Sequence, residues 1–195
     1  MTAAFVRRAG TGLLPGGRHL TWSAADGRRG RRWRSITTSA DGRLVASLLL
    51  ETAPDGVLTR LELATSAGLL TLHPEPDASG LHGNIVRPSG LEHVALPWSP
   101  AHQLFAAASP VTGAVAAARL DAVIGAGEGA SVPAVEVGED LVVRRATWRA
   151  AHVAADRWRL LAADGSASLT VTLDADGLPA ALEDGMTWPM ELDAG

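Results

Sequence analysis

Apolar and polar residues alternate with a period of two through much of the chain. Val57, Thr59, Leu61 and Leu63 interleave with Leu58, Arg60 and Glu62, the spacing of a strand with one face buried and one face wet. Residues 43–51 form a second such run across Pro54-Asp55-Gly56, and Leu69 to His73 a third. The pattern returns late in the chain. There Trp158 and Leu160 oppose Arg157 and Arg159, and Leu169, Val171 and Leu173 oppose Ser168, Thr170 and Thr172. Asp-Gly pairs at 26–27, 41–42, 55–56, 164–165, 176–177 and 184–185 punctuate these runs. Asp-Gly between apolar runs predicts a hairpin, because glycine accepts positive φ and aspartate bonds its own backbone.

Helical patterning is confined to the middle. Gln103 to Ala108 and Gly113 to Gly125 are alanine-rich and predict short helices on either side of Ser109-Pro110. The glycine-rich residues 125–133 predict a loop. About a dozen strands with a short helical insert follow from one strand per roughly 8–12 residues. The predicted class is all-β and mainly antiparallel, a curled sheet or half-barrel with one or two short helices. No 20–50-residue period repeats. The 195 residues read as a single β half-barrel domain, with two β halves joined through residues 103–133 as the internal variant.

Composition narrows the chemistry. Hydrophobic residues are 47% and charged residues 19% of the chain, enough for a packed core and outside the range of disordered chains. With two phenylalanines and no tyrosine, that core is aliphatic. The absence of cysteine excludes disulfides, thiolate metal sites and a cysteine nucleophile. All basic residues are arginine, which excludes Schiff-base and P-loop lysines. The formal charge of -4 argues against a nucleic-acid binder. The arginine-rich stretch Arg28 to Arg34 reads as a solvated hairpin loop between Trp22 and Trp33, or as a contact for phosphates or an anionic membrane. No window reaches the roughly 20 apolar residues of a membrane span, and the N-terminus lacks a secretory apolar run. The expected location is cytoplasmic.

Catalytic and metal patterns are weak. His73, His82, His93 and His102 recur at intervals near ten, yet none shares the i, i+2 or i, i+4 spacing that puts two rings on one face. No G-x-S-x-G elbow occurs. Glu51, Glu62, Asp121 and Glu136 are candidate paired carboxylates for a glycosidase, but alternation turns Glu62 and Glu136 outward to solvent. The GAGEGA run lacks the strand and helix a dinucleotide fingerprint requires. No cofactor or metal is expected.

Tryptophan stands out. Trp22, Trp33, Trp98, Trp148, Trp158 and Trp188 lie in or beside strand-like runs. Besides Phe5 and Phe105 they are the only large rigid surfaces available. Each reads either as a core plug or as the wall of an apolar groove with an indole N–H for a hydroxylated headgroup. The segment Pro110 to Leu120, PVTGAVAAARL, resembles a motif of the glycolipid-binding protein family, with Pro110, Thr112, Arg119 and Leu120 as direct matches. The order of its neighbours agrees: a Trp-containing opening pair, Leu81 to Asn84, the run EHVALPW, and a closing TVTLDADGLP. Gly113 and Ala116 to Ala118 depart from the motif, which carries Asn and Pro-Ile-Arg there. The resemblance implies an antiparallel half-barrel like the lipoprotein carriers of the bacterial envelope.

The expectation from sequence is therefore non-enzymatic binding of a glycolipid or acyl chain in an apolar groove. Trp98, Trp148 and Trp158 would line it, with Leu61, Leu63, Leu169, Val171 and Leu173 on its concave sheet. From the matched motif, Thr112 joins them as a ligand-binding residue and Arg119 would orient the headgroup, or else would tie the middle segment to a strand. A fourteen-carbon chain offers roughly 10 kcal/mol gross at about 0.8 kcal/mol per methylene, enough for micromolar binding after association costs. The alternatives are a small hydrolase or carbohydrate-acting enzyme in the same cavity, and a module that forms a homodimer through a sheet face or edge.

Overall fold

A computed structural model describes residues 7–107, 109–182 and 186–187. Phe5, Trp188 and the Asp184-Gly185 pair lie outside the described residues. Eight strands run first as an antiparallel meander, each hydrogen-bonded to the next. These are β1 (Arg7–Leu14), β2 (Arg18–Gly27), β3 (Gly30–Thr38), β4 (Leu44–Thr52), β5 (Leu58–Thr65), β6 (Gly68–Pro74), β7 (Gly80–Arg87) and β8 (Gly90–Pro97). The chain then makes β9 (Gln103–Ala106), the helix α1 (Val111–Leu120), β10 (Gly129–Val137) and β11 (Val143–Ala154). It closes with β12 (Arg157–Ala162), β13 (Ser168–Leu173), β14 (Pro179–Leu182) and β15 (Met186–Thr187). These later strands form a second sheet in the order β15-β14-β13-β12-β11-β10-β9, curled into a half-barrel. The chain is all-β and mainly antiparallel, as the alternation predicts.

Four of the five described Asp-Gly pairs lie in turns between strands. Asp55-Gly56 and Asp176-Gly177 connect strands with Gly56 at φ 79° and Gly177 at φ 71°, values a side chain would oppose. Asp26-Gly27 is the exception and lies inside β2. Asp26 sits opposite Arg31, and Arg31 Nε donates to Asp26 Oδ1 at 2.6 Å. That pairing extends the ladder, so the chain reverses at Arg28-Arg29 instead. The arginine-rich stretch is thus a hairpin: Arg31 is paired with Asp26 and Arg32 with Glu51, while Arg28, Arg29 and Arg34 are exposed.

Three local expectations from the middle of the chain change. Gln103 to Ala106 is a strand rather than a helix. It pairs in parallel with β10 and all four residues are buried, so tertiary pairing overrides alanine propensity. The predicted loop 125–133 ends at Glu128, because the 12-residue strand β11 extends far enough for Gly129 to pair with Ala151. The helix begins at Val111, two residues early, since Pro110 supplies a pre-set φ of -67° and has no N–H to satisfy, and it ends at Leu120, five residues short of the expected Gly125.

One continuous buried cluster draws on both sheets and α1. The inner face of the meander carries Leu20, Leu48, Leu50, Leu61, Leu63, Leu70, Leu72 and Leu81, all at 2% exposure or less. Trp22 and Trp33 pack there with ring centroids 6.0 Å apart. Leu61, Leu63, Val171 and Leu173 are buried core rather than the floor of a hollow. The alanines of α1 matter here: Ala114, Ala116 and Ala117 are buried, and small side chains let the helix lie close against β9, β12 and β13.

Candidate functional site

Strands β9, β10 and β11 lie side by side, which brings Phe105, Glu136 and Trp148 together. The Phe105 and Trp148 rings stack with centroids 3.8 Å apart and planes 10° from parallel. Trp148 Nε1 donates to Glu136 Oε1 at 2.7 Å, and Arg144 Nε donates to Glu136 Oε2 at 2.7 Å. The Glu136 side chain is only 12% exposed, and both carboxylate oxygens are held. The Glu136 charge in turn raises the Arg144 guanidinium above its ordinary range, chiefly through their hydrogen bond.

These groups line a cleft of about 690 Å³, within the span typical of small-molecule sites. Leu14, Val137, Val142 and Leu169 add apolar surface. Arg18, Asp140, Ser166, Ser168 and Thr170 add polar groups. The Thr170 hydroxyl is buried with no hydrogen-bond partner. On the helical side, Thr112 Oγ1 accepts from the Ala106 N–H and donates to Ser109 O, both at 3.0 Å, so its hydroxyl fixes the cleft wall. Gly113 allows α1 to approach β13: a Cβ there would lie 2.1 Å from Leu169 Cδ2.

The β10–β11 turn forms one lip and is tied to the meander. Arg18 pairs with Glu139 at 2.5 Å, Thr65 Oγ1 donates to Glu139 O at 2.9 Å, and Arg87 Nη1 donates to Asp140 O at 2.8 Å. Glu139 raises the Arg18 guanidinium above its ordinary range, again chiefly by hydrogen bonding.

Of the residues singled out in the sequence, Trp148 and Thr112 line this cleft and Trp98, Trp158 and Arg119 do not. Trp158 is 1% exposed and stacks on His152 at 4.3 Å. Trp98 stacks on His102 at 5.2 Å. Arg119 lashes α1 to the segment before β9: Nη1 donates to His102 O at 3.1 Å and Nη2 donates to Pro100 O. Burial draws its guanidinium below the ordinary arginine range, with Asp55 opposing. Replacing Arg119 by methionine is expected to cost about 1–3 kcal/mol in urea unfolding, because two carbonyls lose charge-assisted donors, while leaving the cleft intact.

The histidines disperse. His73 and His82 are cross-strand neighbours with rings 4.0 Å apart, a proximity that spacing along one strand does not reveal. His93 Nδ1 meets Asn84 Oδ1 at 2.6 Å. The His102 imidazole is pushed below its ordinary pKa, first by burial. Among the described residues no group of three or more His, Asp or Glu is placed to hold a metal.

Sequence reasoning missed two parts of the site. Phe105 fell in an expected helix, and alternation turned Glu136 to solvent. The signal was present in β10, where Val132, Ala134, Val135 and Val137 are apolar at both parities. Such a run marks a strand covered on both faces, whose polar member cannot be assigned to bulk water.

No family model matches the chain, and no curated protein matches it. Among solved structures, it is similar to a DUF1089 family protein from Pseudomonas aeruginosa. The identity is 16% and the TM-score 0.56, over 94% of this chain and 92% of that one. At this identity the likeness is one of fold.

Proposed function

We propose that the protein is a non-enzymatic carrier of an amphipathic lipid, with a hydroxylated, sugar-like headgroup seated in the cleft beside Trp148. The observation that carries this reading is Glu136: a nearly buried carboxylate, fixed by Trp148 and Arg144, on the wall of a cleft with a stacked aromatic floor. A fixed carboxylate accepts hydrogen bonds from sugar hydroxyls, and arginine and serine groups supply donors. Leu14, Val137, Val142 and Leu169 offer the apolar contact that an acyl segment needs. Leu61, Leu63 and Trp158, which the sequence reading put on the groove, are core and line no part of this cleft.

Native mass spectrometry of freshly purified protein tests the reading. A co-purifying lipid is expected, together with quenching of tryptophan fluorescence by glycolipid. Glu136→Gln keeps the side-chain volume but removes the charge and one of the two acceptors that hold Trp148 and Arg144, and is expected to weaken headgroup binding about tenfold or more, the scale of one hydrogen bond to a charged group. Absence of both lipid and quenching overturns the carrier. Recovery of cleaved glycolipid instead of intact ligand would move Glu136 and Asp140 to a carboxylate-based hydrolase.

A further inference from the structure

The large apolar side chains that the meander leaves in solvent are Leu13, Ile36, Leu44, Leu69, Val86 and Leu91, each 41–60% exposed. Scattered exposure of this kind is ordinary, but here it is sorted. Leu13, Ile36 and Val86 stand near the last residues of β1, β3 and β7, and Leu44, Leu69 and Leu91 near the first residues of β4, β6 and β8. In an antiparallel meander those positions are one and the same end. The opposite end carries charge at its turns, with Arg28, Arg29, Asp55, Glu75 and Asp77 exposed. Register joins several apolar members directly: Leu69 faces Val86, and Val86 faces Leu91.

This end also holds the lip of the cleft. Arg18 and Leu14 line the cleft from the β1–β2 connection. The β10–β11 turn is bonded there through Thr65 and Arg87, and its Val142 is 51% exposed. The charges nearby are paired with opposite ones: Arg18 with Glu139, Arg87 with Glu92 at 3.6 Å, and Asp41 beside Arg43. We infer that this apolar end is a docking rim for the surface of a lipid bilayer, through which the cleft exchanges its ligand. The inference rests on the carrier reading above.

The form of the rim favours a fluid interface over a rigid partner. Its members stand near strand ends from β1 to β8, up to about 34 Å for eight strands at 4.8 Å spacing. A deformable interface accepts side chains so distributed, whereas close packing against another protein requires a continuous complementary patch. Balanced charge makes zwitterionic lipid sufficient and leaves little electrostatic attraction for salt to screen.

Flotation with phosphatidylcholine vesicles tests the inference. The wild-type protein is expected to float, at low and high salt alike. The V86S/L91S variant is expected to bind vesicles about tenfold or more weakly, and to take up a pyrene-labelled glycolipid from them correspondingly slowly. R28S/R29S, at the opposite end, should float as wild type. Octyl glucoside below its micellar concentration reads the cleft without a membrane, and its quenching of tryptophan should be the same in V86S/L91S. If V86S/L91S fails to fold, L69Q on β6 gives an independent reading. A wild-type protein that stays with the pellet fraction, or a variant that floats equally, overturns the rim while octyl glucoside binding still supports the cleft. Flotation without octyl glucoside binding removes the carrier and with it the exchange route. A wild-type dimer in sedimentation velocity that V86S/L91S dissociates assigns the rim to a second copy and overturns the inference.

Discussion

Replacing Gly83 by alanine is expected to destabilise the protein by about 3 kcal/mol or more, with much of the chain insoluble at growth temperature. Gly83 lies on the buried face of β7 between Leu81 and Ile85. A Cβ built there falls 1.7 Å from Thr71 O and 2.7 Å from Thr71 C. Both are backbone atoms of β6, so no rotamer change can relieve the clash; the two strands must separate. Separation would weaken their ladder and open the leucine layer beneath, where Leu70 and Leu72 are fully buried. Urea unfolding followed by far-ultraviolet circular dichroism measures the loss. A Gly83→Ala protein within about 0.5 kcal/mol of wild type, the range of neutral surface changes, would show that β6 and β7 lie further apart than described.

Trp158→Ala is expected to cost about 3–5 kcal/mol, the usual range for emptying a large aromatic site in a core. The ring is 1% exposed and lies nearly parallel to His152, 13° apart. His152 itself is buried against the turn that follows α1, with Nδ1 3.1 Å from Ile124 O. The lost ring therefore uncovers a polar group as well as a cavity. Trp158→Phe keeps a ring on His152 and should cost clearly less. The same pair of variants separates a core role from a ligand-lining one. Folded Trp158→Phe protein is expected to bind glycolipid as wild type does, since the residue is absent from the cleft wall. Weakened binding at unchanged stability would put Trp158 back in the groove that the sequence suggested.

The tryptophans illustrate how far sequence reasoning carries. Alternation placed Trp158 and Leu160 on one face correctly, and Asp164-Gly165 marked the turn after them. It could not say whether that face meets a ligand or the protein's own interior, because both surroundings are apolar. Arg119 posed the same choice between headgroup and structural tie. Two backbone carbonyls of the segment before β9 take its hydrogen bonds, and those partners become neighbours only when the chain folds back on itself. Ala116 to Ala118, departures from the family motif that the segment resembles, acquire a packing reason: a helix pressed against three strands favours side chains of this size.

By itself the sequence determined the all-β, mainly antiparallel class, the four hairpins that Asp-Gly marks and the short alanine-rich helix, because each depends on residues within a few positions of one another. Only the tertiary structure decided that Gln103 to Ala106 is a strand, that Glu136 turns inward, and that Leu61 and Leu63 fill the interior. The parallel β9–β10 pairing crosses a helix, and its register sets Phe105 beside Glu136. The cleft joins Leu14 and Arg18 to groups more than a hundred residues away, a distance over which local periodicity carries no information.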